Sequence, residues 1–179
     1  MTIAAFDQWF AGYLGQDELQ VERLLRDKTA TRFLIAWSLL ETSCFGGFAK
    51  PEQFRSFAKN LVGNGALRAD NLKDAAAYFH DRYQDKKLYG NLMHKQRSAE
   101  LESILAKDCD SLCAEDLAFF VMFVVYRYRN NIFHGNKGVE SWLRFKVQIE
   151  RCIGIMQGLI DASASHNTSL QPTLASARG

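Results

Sequence analysis

The stretch "LAFFVMFVVYRYRNNIFHG", Leu117 to Gly135, decides how this chain must be organised. Its first ten residues, Leu117 to Tyr126, carry no charge. A helix that is apolar on almost all sides over its middle has to be surrounded by other helices. The run is about half the length needed to cross a bilayer, so it is expected to be a buried segment of a soluble domain. It then ends by presenting two arginines, two asparagines and a histidine in quick succession, which a core helix does not require.

The rest of the chain supplies the surrounding helices. At 179 residues it suits one domain that buries roughly two-thirds of its unfolded surface. Hydrophobic residues at 47% and charged residues at 23% leave room for a real core, and the only prolines, Pro51 and Pro172, interrupt no periodic segment. Upstream of the central run, apolar residues recur at helical spacing over Ile3 to Leu14, over a long segment from Asp17 to Gly46 with a soft spot near Thr29 to Thr31, and over a segment opened by Pro51. Further segments run from about Asp70 to Tyr83 and from about Leu88 to Lys107. The central helix spans Ala114 to Phe133, and a last one spans Val139 to Ala162. The expected fold is therefore an all-α bundle of about six to seven helices. Residues 1–162 are expected to form a single domain, and 163–179, small and polar, a flexible tail.

Four scattered cysteines and a beginning without a basic stretch and an apolar signal core point to reduced thiols in a cytoplasmic protein. The formal net charge of +2 does not by itself indicate nucleic-acid binding. Locally, the six basic residues between Arg127 and Arg151 outnumber Glu140 and Glu150, a modest basic patch beside the polar stretch. Cys109 and Cys113 lack a second pair of ligands, so no metal site is expected. "GNGAL" at Gly63 to Leu67 lacks the Lys-Ser/Thr of a phosphate loop and is expected to be a turn. His80, His94 and His166 stand among polar neighbours and are expected on the solvated surface.

On an ideal helix Asn130 and His134 lie within about 40° of one another, and Arg129 sits about 100° from Asn130. The three can converge on one patch. Gly135 places His134 in the last turn, where unpaired carbonyls favour a protonated imidazole suited to general-acid work. Arginine supplies a permanent forked charge for phosphate, and asparagine orders either the histidine or a substrate. A polar helix cap uses the same residue types, so spacing alone leaves site and cap equally open. Glu41, four residues past Trp37, is expected either to face water or to hold an arginine of this stretch from a neighbouring helix.

Arg129-Asn130-Asn131-Ile132-Phe133-His134 resembles the Arg-x4-6-His signature of the HEPN superfamily in its Arg-Asn-x3-His form. The flanking Tyr126-Arg127-Tyr128 and Gly135-Asn136-Lys137 resemble the versions found in bacterial members. The resemblance implies a helical homodimer in which two motif helices build a composite site for a metal-independent endoribonuclease. Such members cleave RNA to leave a 2′,3′-cyclic phosphate, without a cofactor, often as toxins or antiviral effectors held in check by an antitoxin or regulatory protein. Carried over residue by residue, Arg129 would stabilise the phosphate, His134 would serve as general acid or base, and Asn130 would order the site. Supporting or RNA-binding roles for Arg127, Asn131, Lys137 and Glu41 extend beyond the motif. Some members of the superfamily are non-catalytic modules that bind RNA, nucleotide or a partner protein, which is the alternative expectation.

Overall fold

The computed structural model describes residues 3–94, 96–133 and 144–169, and among these every regular element is helical. In chain order the helices are α1 (Ile3–Leu14), α2 (Glu18–Arg26), α3 (Thr29–Phe45), α4 (Pro51–Gly63), α5 (Lys73–Arg82), α6 (Lys86–Met93), α7 (Ala99–Leu105), α8 (Ala114–Phe133) and α9 (Lys146–Ser169). Single 3-10 turns at Ala69–Asn71 and Cys109–Ser111 lead into α5 and α8. The all-α class is as expected, and the uncharged run becomes the centre of α8. Eight of its residues, Leu117 to Met122 with Val124 and Val125, are buried. α8 packs against α4, α5, α6, α7 and α9, while α3 and α9 form the most extensive helix pair.

Two expected long helices are each divided, for local reasons. The segment from Asp17 to Gly46 breaks at Asp27, whose extended backbone ends α2 while its carboxylate accepts the Thr29 N–H at 2.8 Å and starts α3. A carboxylate that satisfies an otherwise orphaned N–H makes the break cheaper than a continuous helix. The segment from Leu88 to Lys107 breaks at His94, which takes a left-handed conformation (φ 48°) as the cap of α6. Ser98 then starts α7 by accepting the Leu101 N–H at 3.3 Å. At the end of α3, Gly46 is left-handed (φ 68°) and the Gly47 N–H returns to the Glu41 carbonyl at 2.9 Å, the closure that glycine permits without strain. "GNG" is the expected turn, with Gly63 ending α4 and Gly65 at positive φ. α9 runs on past the expected end at Ala162 to Ser169, and the expected start of that helix at Val139 lies outside the described residues.

Helix directions follow from contacts at both ends of the bundle. Lys146 Nζ reaches Asp27 Oδ2 at 2.8 Å at one end, and Cys44 and Ser163 line one pocket at the other, so α3 and α9 run parallel. Glu115 lies at the Cys44 and Ser163 end, and Arg129 lies against Trp37, so α8 runs antiparallel to both. The C-terminal turns of α8 are thereby brought to the same end as the beginnings of α3 and α9. α1 packs on α2 through a small cluster of its own, Phe10, Ala11, Val21 and Leu24, apart from the main core.

Candidate functional site

Successive residues in the last two turns of α8 point at different neighbours, as a 3.6-residue period requires. Tyr126 meets the rings of Trp37 and Phe54, at centroid distances of 6.3 and 5.5 Å. Arg127 turns toward α6, Tyr128 toward α5, and Arg129 back toward α3.

Arg127 is only 5% exposed, yet it is fully engaged. Its Nε donates to the Leu92 carbonyl at 3.2 Å, Nη2 to the Met93 carbonyl at 2.7 Å, and Nη1 to Gln96 Oε1 at 2.6 Å. Asn131, one turn later and 3% exposed, donates to the same Leu92 carbonyl at 3.1 Å. Leu92 and Met93 are the last residues of α6, where carbonyls lack intrahelical partners. Arg127 and Asn131 therefore cap α6 from another helix. Burial pulls the Arg127 guanidinium below its ordinary value, but arginine keeps its charge in proteins and the carbonyl dipoles receive it. Expected as supporting or RNA-binding residues, both are directed into the protein, and the support they give is to hold α8 in place.

Arg129 and Asn130 are arranged otherwise. Both are half-buried, and Arg129 Nη1 donates to Asn130 Oδ1 at 3.1 Å. The Arg129 guanidinium lies 5.7 Å from the centre of the Trp37 ring, a cation–π contact that fixes its plane. Trp37 is 4% exposed, a core residue with nothing in its own sequence surroundings to mark it as the shelf for an arginine so distant in the chain. Glu41 lies one turn beyond Trp37 and accepts the Ala49 N–H at 3.2 Å. Together with its own carbonyl, which takes the Gly47 N–H, it braces the α3–α4 connection. His134 and Lys137 lie outside the described residues.

The expectation of a solvated histidine at position 80 is corrected. His80 is 8% exposed, edge-on to Phe120, with Nδ1 3.4 Å from Gln84 Nε2. It follows Ala76 by four residues and Phe79 by one, both fully buried, so helical spacing carried the signal that its polar sequence neighbours obscured. His94, by contrast, is exposed as expected. Among the described residues no three His, Cys, Asp or Glu side chains gather as a metal ion would require, and the four cysteines are free thiols. Among the same residues no helix is long and apolar enough to cross a membrane.

No protein-family model matches the chain, and neither a curated protein nor a solved structure matches it.

Proposed function

We propose that the C-terminal end of α8 is the active end of a metal-independent endoribonuclease of HEPN type, completed by a second copy of the chain. The observation that supports this reading is the division of labour among the polar residues of the stretch. Arg127 and Asn131 are committed to the carbonyls of α6, whereas Arg129 and Asn130 are joined to each other on a half-buried edge, two turns of sequence or less from His134. A polar stretch that served only to cap a helix would have no need of the second pair.

In the proposed reaction the 2′-OH of one nucleotide attacks the adjoining phosphorus. The O2′–P bond forms, the P–O5′ bond breaks, and the 5′-oxygen leaves with a proton. RNA carries its own nucleophile, so the protein has to position it, move protons and neutralise developing charge on the phosphate. Arg129 answers the charge, His134 exchanges the proton with O2′ or O5′, and Asn130 keeps the Arg129 fork aligned. The test compares wild type with Arg129→Ala and His134→Ala, each checked for native helicity. Loss of cleavage by at least about a hundredfold in both is expected, in line with general acid–base and oxyanion contributions. Undiminished cleavage in both folded variants contradicts the mechanism, and RNA binding by wild type without cleavage favours the non-catalytic module instead.

A further inference from the structure

Between α5, α6 and α8 lies a cavity of about 30 Å³, lined by Arg82, Tyr83, Asn91 and Tyr128, with Leu88 and Phe145 as apolar walls. It has room for one or two water-sized spheres and is too small for a nucleotide. Its hydrogen-bonding groups are unbalanced. Tyr83 donates its hydroxyl proton to the Tyr128 oxygen at 3.1 Å, which leaves the Tyr128 proton without an acceptor in the pair. The Arg82 guanidinium approaches both phenol oxygens, yet its Nε–H is buried and meets no acceptor among the described residues. The nearby Leu92 carbonyl already accepts from Arg127 and Asn131. Burial keeps both phenols protonated, pushing Tyr128 up to about 12 and Tyr83 higher still, so each remains a donor across the ordinary pH range. Among the described residues no ion pair joins Arg82 to a carboxylate.

We propose that this cavity binds one monatomic anion, of the size and charge of chloride, held by the Arg82 Nε–H and the unshared hydroxyl proton of the tyrosine pair. A water molecule would accept those bonds but bring two donors of its own that need acceptors in turn. An anion accepts without donating and also neutralises a half-buried guanidinium, whose isolated charge is costly to remove from water. Bound there, it links α5 to α8 on the side of the helix that carries Tyr128, adjacent to Arg127 and Arg129.

The test measures thermal unfolding of the whole protein in sodium chloride, sodium bromide and sodium gluconate at equal ionic strength, together with broadening of the chloride NMR line. Wild type is expected to melt roughly 2–4 °C higher in either halide than in gluconate, and to broaden the chloride line in a way that bromide reverses. Arg82→Gln and Tyr128→Phe should lose both effects. Equal wild-type midpoints with an unbroadened line overturn the proposal and leave water as the occupant. A halide effect that persists in both folded variants overturns it as well. If neither variant folds, the wild-type midpoints and the bromide-reversible line broadening decide alone.

Discussion

Arg127 and Arg129 stand two positions apart, and the helix sends one inward and the other to an edge. Replacing Arg127 by alanine strips the buried Met93 carbonyl of its donor and leaves the Leu92 carbonyl with Asn131 alone. The expected cost is about 2–4 kcal/mol of folding stability, read by urea unfolding. Lysine should recover little of it, because one ammonium lacks the fork that reaches two carbonyls at once. A loss below about 0.5 kcal/mol, typical of surface changes, would contradict the capping role. This distinction was hidden in the sequence. The arginines, asparagines and histidine were visible as an anomaly, and helical angles separated Arg129 from Asn130, but only the packed position of α6 shows that Arg127 and Asn131 face its end. Trp37 was legible as a core residue and not as the ring beneath Arg129, because that contact joins residues from two helices far apart in the chain.

Periodicity located the helical segments well and their interruptions poorly. Between Leu25 and Phe33 only Ala30 is apolar, and between Met93 and Leu101 only Ala99, so a reading that carries the helical period across such gaps joins what the backbone divides. The breaks are decided by local hydrogen bonds: the Asp27 carboxylate to the Thr29 N–H in one case, and the Ser98 hydroxyl to the Leu101 N–H in the other. His94 offers a direct check on the second break. A non-glycine residue in the left-handed region carries a conformational cost, so His94→Gly is expected to stabilise the protein by about 0.5–1 kcal/mol in urea unfolding. If His94→Gly instead destabilises by a similar amount, as glycine does inside a helix, α6 and α7 are continuous there and the division is wrong.

At the scale of the whole molecule, one ion pair ties the α2–α3 junction to the start of α9 at the end of the bundle where α8 delivers its polar turns. The hydrogen bond from Lys146, reinforced by those from Thr29, holds the Asp27 carboxyl down to about 2. An unfolded aspartate titrates near 4. Because the folded value is the lower one, the contribution of Asp27 is complete above about pH 4 and disappears as the pH falls toward 2. Asp27→Asn should therefore melt below wild type at neutral pH, and the difference should close over that acid window. A difference that stays constant from pH 7 to pH 2 would show that the pair does not act through its charge. The all-helical fold and the central place of α8 were legible from composition and from one uncharged run. Which ends of which helices meet was not, since parallel or antiparallel packing depends on contacts between residues that sequence spacing does not relate.

The activity proposed for the end of α8 is cleavage of RNA through the substrate's own 2′-hydroxyl. Its most direct measurement incubates the native protein, in excess EDTA, with an RNA oligonucleotide and with the same oligonucleotide carrying a single 2′-deoxy nucleotide at the mapped cleavage position. Cleavage of the first to a 2′,3′-cyclic phosphate and a 5′-hydroxyl is expected, with the second intact at that position. Cleavage of the deoxy-substituted strand at the same bond, or activity that vanishes with EDTA, would contradict it.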